Sequence, residues 1–386
     1  MRLAADLDLG FAGPALRRCG LYLGPLSVAI AAADLLDQVV WLVPTGVLLV
    51  GWAAAQALTS VGTAVADRYG PAAGARLAGA GFLGAAALWA AAVWVAPAAL
   101  LGGDRWLAAG IGAGGLAALA TMTAALVTRA ETAVIGWSVP CWALAAVTGA
   151  GGFDGSRLGP PLLAAAIAVA LLRAFWPAFA RRLPQRPSPQ PAQVRRSLGF
   201  LIVGAAQVLC VVLLWRSGRP GPAVLPVLIA VPLLEGLVGW HVRQVDAGLD
   251  LAESSAGLAR HLRGVALVTV AALLPPLAVG GTLAVTAYSL PPGLAVLPGA
   301  RAGVLALAAG TLLGGVFTAT CLLTARGRVG YAAALAVAPP VAVAVLPMLP
   351  AVALDRMTLL VIVLTATHFV GLLTVASTAA DHRGTP

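Results

Sequence analysis

A carboxylate, a histidine and two amides sit where an apolar sequence leaves little room for chemistry. Glu235 lies inside Val231-Pro232-Leu233-Leu234-Glu235-Gly236-Leu237. A charge in hydrocarbon is costly, so such a residue faces a bundle interior, finds a partner or changes its protonation state. Two readings stay open for it. It is a cavity carboxylate that binds a cation, a proton or a substrate, or it is a structural partner for Arg243, about two helical turns further on. His368, in Thr365-Ala366-Thr367-His368-Phe369, is read as a neutral ring bonded to a neighbouring helix, with a proton relay as the alternative. Gln56 and Gln207 are amides suited to hydrogen bonds between apolar helices. Arg17, Arg18 and Arg173 stand near the ends of apolar runs. There they either meet an anionic headgroup or extend to the membrane surface.

Other chemistries find no support. Cys19, Cys141, Cys210 and Cys321 form no CxxC pair and read as small apolar packing residues, so neither a disulfide frame nor a metal site is expected. No phosphate-binding loop, zinc-protease helix or serine-nucleophile elbow occurs, and no cofactor is expected. Asp34 and Asp37 form a DxxD that a metal-dependent membrane transferase could use; a polar turn between two apolar segments explains it more simply.

The elements that must position these residues follow from composition. Of 386 residues, 60% are hydrophobic and 10% charged, against about 25% charged in a soluble domain. So few charges cannot cover a water-facing surface. Runs of about 20 apolar residues, the length that spans a bilayer, recur almost end to end: 11–33, 39–65, 77–100, 106–127, 132–151, 158–180, 197–215, 221–240, 264–290, 302–325, 329–354 and 357–379. The expectation is an all-α polytopic transmembrane bundle of about 12 spans. Pro44, Pro140, Pro232, Pro275-Pro276 and Pro339-Pro340 interrupt spans and predict kinks. Close helix packing is expected at Gly110-Ile111-Gly112-Ala113-Gly114 and at Gly310-Thr311-Leu312-Leu313-Gly314. Trp41, Trp106, Trp215 and Trp240 fall near span ends, as an aromatic belt requires.

The connection 181–196 is rich in proline, polar residues and arginine and reads as a cytoplasmic linker. It divides the chain into an N-terminal lobe, 1–180, and a C-terminal lobe, 197–386, of six spans each. The formal charge is +10 and every basic residue is arginine, a bias we read as bacterial GC-rich coding. No stretch interleaves basic and aromatic residues on a soluble domain, which argues against nucleic acid. Orientation accounts for the charge instead. With the N-terminus inside, eighteen of the 24 arginines fall on the cytoplasmic side, as the positive-inside rule requires. Both termini are therefore expected in the cytoplasm of a cell whose inner membrane holds the protein, and the acidic start, Asp6 and Asp8, predicts no cleaved signal peptide. The stretch 241–263 places Val242, Val245, Leu249, Leu251, Leu258 and Leu262 roughly on one face. It reads either as an amphipathic helix on the cytoplasmic surface or as an extension of the flanking spans.

This layout of six spans, a basic linker and six spans resembles the flippases of the multidrug/oligosaccharidyl-lipid/polysaccharide exporter superfamily. Two passages resemble its exopolysaccharide-export branch: Gly24-Pro25 in the first span, and Glu235 with Gly239-Trp240-His241-Val242-Arg243. Ala66-Asp67-Arg68-Tyr69-Gly70 lacks the glycine-rich start and second basic residue of the major facilitator loop motif. The resemblance implies two lobes around a cavity that opens alternately to each side, and a lipid-linked sugar or polysaccharide intermediate as cargo. Membrane lipids and envelope glycosyltransferases are the implied partners. An anionic cargo would call for cations in mid-cavity, and only Arg17, Arg18 and Arg173 come near. A non-transporting scaffold subunit of an envelope polysaccharide complex is the alternative, and a membrane-embedded transferase the third reading.

Overall fold

In the computed structural model the described residues are 12–151, 159–180, 190–217, 220–251, 254–291, 299–348 and 354–378, with 293 and 297. Among them every long element is a helix: α1 (Ala12–Ala31), α2 (Leu42–Tyr69), α3 (Pro71–Val95), α4 (Arg105–Thr128), α5 (Glu131–Gly149), α6 (Gly159–Ala180), α7 (Pro191–Ser217), α8 (Pro220–Leu251), α9 (Ser255–Tyr288), α10 (Ala300–Ala325), α11 (Val329–Val345) and α12 (Arg356–Thr378). Each matches one of the twelve apolar runs. Ten are long and apolar enough, by length and composition, to cross a membrane; the other two are α1 and α8.

Local signals set the ends. Asp104 caps α4 by accepting from the N–H groups of Trp106 and Leu107, which pairs donors that the first turn leaves orphaned. Ser254 does the same for α9 through Gly257. Pro71 opens α3 at a position where its missing N–H costs nothing, directly after Gly70, whose φ of +89° suits glycine. Arginines close other ends. Arg76 Nε donates to the Ala178 carbonyl in the last turn of α6, at 2.8 Å, and Arg326 Nη1 to the Val375 carbonyl in the last turn of α12, at 2.8 Å. Both carbonyls belong to the four that a helix end leaves without a partner.

The chain forms two compact units, one from Arg17 to Val208 and one that combines the residues before Arg17 with the chain from Leu209 onward. The division falls within α7 and not at the expected linker. Residues 191–196 of that linker are helical, and 181–189 lie outside the described residues. In each unit the fourth of six helices is central. Among the ten candidate spans those of α4 and α10 are the most buried, at 61% and 72%. Alanine, glycine and threonine dominate both, and their hydroxyls bond back one turn, as at Thr123–Leu119 and Thr318–Gly314. Small, self-satisfied side chains let neighbouring backbones close in from all sides. Around α10 the core includes Leu312, Leu313, Val316, Leu360 and Leu364; around α4 it includes Leu119, Met122, Phe82 and Ala174.

Three expectations change. The stretch 241–263 is not one surface helix: 241–251 continues α8 and 255–263 opens α9, where His261 Nε2 meets the Gln244 carbonyl at 2.9 Å. The extension alternative is the one realised, and the His261–Gln244 contact ties the two extensions together. At 110–114 the close approach is not at the two outer glycines. Gly110 has open space, whereas a Cβ on Gly112 would lie 1.7 Å from Trp89 Nε1. Pro44 falls in the first turn of α2 and interrupts nothing.

Candidate functional site

The unit from Arg17 to Val208 has a small cavity between α1, α4, α5 and α6. Its wall includes Gly24 and Pro25 of α1, Thr121 and Met122 of α4, Ser138 and Cys141 of α5, and Ile167 of α6. Pro25 lies inside the helix, where it cannot donate to the carbonyl four residues back. Ser27 donates to the Gly24 carbonyl at 2.7 Å. Ser138 and Thr121 donate to carbonyls of their own helices, Val134 and Ala117. With these hydroxyls turned onto backbone, the lining is apolar. The cavity holds about 20 Å³, room for one water.

At the α1 end of this unit Arg18 Nε is 3.1 Å from Glu131 Oε1 in the first turn of α5. The pair fixes α1 against α5, and Arg18 is therefore engaged with a carboxylate. Arg17 is exposed and Arg173 half-buried. The two amides are brought together by one helix pairing. Trp52 Nε1 donates to Gln207 Oε1 at 2.9 Å, and Gly204 sits against Gln56, where a Cβ would lie 3.0 Å from Cγ. Gln207 is 4% exposed; its carbonyl oxygen joins α7 to α2, the interhelical role expected of it.

In the other unit His368 is completely buried in α12. Its Nε2 is 3.1 Å from the Leu273 carbonyl, one residue past the two carbonyls that Pro275 and Pro276 leave without donors. A carbonyl only accepts, so Nε2 carries the proton. Among the described residues no group lies within hydrogen-bond geometry of Nδ1, and the Leu312 carbonyl is the other backbone group that acts on the ring. Gly315 makes the space for the ring, since a Cβ there would lie 1.9 Å from Cε1. Glu235 is on α8, but its side chain lies outside the described residues.

Sequence reading missed two polar clusters in this unit. Arg326 Nε donates to His241 Nε2 at 3.0 Å, and His241 Nδ1 lies 2.9 Å from Thr269 Oγ1. Thr269 donates to the Val265 carbonyl. Arginine only donates, so His241 Nε2 accepts, Nδ1 holds the proton, and the neutral ring is fully used. With the Arg326–Val375 bond, one guanidinium ties α8, α9 and α12 beside the end of α10. The second cluster joins Tyr288, Thr358 and Asp355. Thr358 gives its hydroxyl proton to Asp355, so Tyr288 donates to Thr358, while Arg301 covers the Tyr288 ring at 4.1 Å. The Thr358 hydroxyl, then its N–H, hold the Asp355 carboxyl below its ordinary range, with Arg301 adding a smaller pull and burial opposing. The hydrogen bonds that cross between helices in these clusters join residues 28 to 85 positions apart, and no local pattern marks them.

Asp34 and Asp37 are exposed, at a four-residue helical turn (Ala33–Leu36) between α1 and α2. Among the described residues no three histidine, cysteine or acidic side chains are grouped to hold a metal. No family model and no curated protein sequence matches the chain. Solved structures do. A multidrug resistance transporter of the MATE family, MOP superfamily, in an outward-facing conformation, aligns with a TM-score of 0.64 at 13% identity over 97% of this chain and 96% of that one. A MATE structure in complex with MaL6 gives 0.63 at 12% over the same shares. An inward-facing MATE family transporter gives 0.54 at 11% over 96% of each chain. This chain therefore has the two-lobed fold of the MATE transporters.

Proposed function

We propose that this protein is a multi-pass transporter of the inner membrane, working by alternating access, with both termini in the cytoplasm and a lipid-linked sugar or polysaccharide intermediate of the cell envelope as its cargo. The observation that carries the reading is that the fold aligns over 97% of this chain and 96% of a MATE transporter. The proline inside α1, in the wall of the N-terminal cavity, gives that lobe a helix able to bend where a cargo would lie. A mostly apolar interior suits an amphipathic cargo whose lipid tail stays in hydrocarbon. Exopolysaccharide export rests on the Gly24-Pro25 and Gly239 to Arg243 resemblances. His368, with Nδ1 outside hydrogen-bond geometry of any described group, is the described residue best placed for a coupling proton, and Glu235 remains the carboxylate candidate beside it in sequence logic.

The test is reconstitution in liposomes with a fluorescent lipid-linked oligosaccharide on the inner leaflet. Time-dependent exposure of the sugar to an external quencher, lost in Pro25→Leu protein of equal abundance, is the expected result. No transfer by correctly inserted protein, with any of several lipid-linked sugars, would overturn it. The scaffold alternative would then stand. The small size of the N-terminal cavity favours that alternative, and capture of envelope glycosyltransferases by the purified protein would support it.

A further inference from the structure

Two helices are longer than a bilayer needs. At about 1.5 Å per residue, the 32 residues of α8 and the 34 of α9 run about 48 and about 51 Å, against about 30 Å of hydrocarbon. The surplus lies together. His241 meets Thr269 at the level where Arg326 ends α10 and holds the last turn of α12. Past that level α8 runs on to Leu251, and α9 starts at Ser255. The two form an antiparallel hairpin that extends about 15 Å further. Gly248 lets the pair close up, since a Cβ there would lie 2.5 Å from His261.

The outer faces of this hairpin carry opposite charge. Gln244 and Gly248 meet His261. Asp246 and Asp250 are each two residues from Gly248, about 200° round the helix, so they point away from α9. On α9, Leu262 and Val265 are buried, and Arg260 and Arg263 lie on the far side. All four charged residues are exposed, and among the described residues none of them has an ion-pair partner. Arg243, also on α8, folds back along its helix: its Nη1 is 3.6 Å from where a Cβ on Gly239 would lie. The outer part of the α8 face is left acidic.

The heights of these charges match. Copies inserted the same way in one bilayer share its plane, so two faces pair only where their charges lie equally far from it. Measured from His241 and Thr269, Asp246 and Arg263 lie about 7.5 and about 9 Å out, and Asp250 and Arg260 both lie about 13.5 Å out. Turned face to back, Asp246 meets Arg263 and Asp250 meets Arg260. Leu249, 52% exposed, stands between the aspartates. Small residues, Ala256 and Gly264, flank the arginines, and a Cβ on Gly264 would meet nothing within 4 Å, which leaves room for the leucine.

We infer that copies of this protein associate head to tail in the membrane, the acidic α8 face of one hairpin against the basic α9 face of the next. Such a contact uses two different surfaces and continues from copy to copy. Exposed ion pairs are individually weak. Holding both copies in one plane at one height raises their effective concentration, as a tether does. The contact needs no cargo and no movement of the lobes, so its failure leaves the transport reading untouched.

The experiment is energy transfer between two fluorescently labelled pools of full-length protein in phosphatidylcholine liposomes. Wild type should show transfer. Raising salt from about 0.1 to about 1 M shortens the screening length from about 10 to about 3 Å and should cut association about fivefold, what two exposed pairs supply. Asp246→Arg with Asp250→Arg, and separately Arg260→Asp with Arg263→Asp, should each abolish self-association. Mixed together, the two variants should associate at least as well as wild type, because one offers only positive faces and the other only negative ones. Rescue on mixing also shows that both fold. Asp246→Asn with Asp250→Asn should weaken association without reversing a charge, and it decides the matter if a reversal variant does not melt cooperatively. No transfer by wild type, transfer indifferent to salt, or self-association of either reversal variant would overturn the inference. So would undiminished transfer by the asparagine variant, or a mixture of cooperatively melting reversal variants that fails to associate.

Discussion

Replacing Gly315 by alanine tests the packing around His368 directly. The added Cβ would lie 1.9 Å from Cε1 of the imidazole and 2.3 Å from Nδ1, where an ordinary contact begins at 3.4 Å. The ring must therefore retreat by about 1.5 Å in a completely buried site packed to interior density. Moving the ring strains or breaks its bond to the Leu273 carbonyl. Overpacking costs about 1–3 kcal/mol and an unsatisfied buried polar group about 1–3 kcal/mol, so Gly315→Ala should destabilise the protein by about 2–6 kcal/mol. His368→Ala should also destabilise, by leaving a cavity. The double variant should lose much less than the two losses together, because the new methyl enters the space that the ring vacated. Thermal unfolding of the four proteins in one detergent, read as a double-mutant cycle, measures the coupling. Contacting residues couple by about 0.5–3 kcal/mol, and the upper end is expected here. Additivity within about 0.5 kcal/mol would refute the argument that Gly315 exists to seat His368.

Three further outcomes are expected. Glu131→Gln and Arg18→Gln should each lower stability by no more than about 1 kcal/mol, since Arg18 is 36% exposed and water screens the pair, and the double variant should be no worse than the poorer single one; thermal melts decide this. Asp355 has a folded-state pKa below its unfolded value of about 3.9, so it stabilises above that value and the contribution fades as pH falls through the lower folded one. Melting temperatures from pH 6 to pH 3 should therefore fall more steeply for wild type than for Asp355→Asn. Reporter domains fused at residue 190 and near residue 295 should prove cytoplasmic and external, respectively; either result reversed would disprove the orientation that the arginines imply.

Legibility differed between fold and site for a physical reason. A span announces itself through some twenty consecutive side chains, and all twelve runs became helices. Gln207 was readable too, because a buried amide in hydrocarbon has few options besides another helix, although Trp52 as its donor was not. Arg18 illustrates the opposite case. From sequence it was a cation near the membrane surface and a candidate for a headgroup; only folding brings it beside Glu131, 113 positions away. His241 went unremarked as a structural residue because its partners, the donor Arg326 and the acceptor Thr269, lie far along the chain.

Taken alone, the amino-acid sequence determines that this chain lives in a bilayer and where its apolar runs lie, because hydrophobic length is a property of consecutive residues. The tertiary structure decides what those runs surround. It places α4 and α10 at the centre of their units, turns the hydroxyls of the N-terminal cavity onto backbone, and seats His368 against Gly315. Each of these depends on pairs of residues distant along the chain, whose distances are set by the packing of one helix on another.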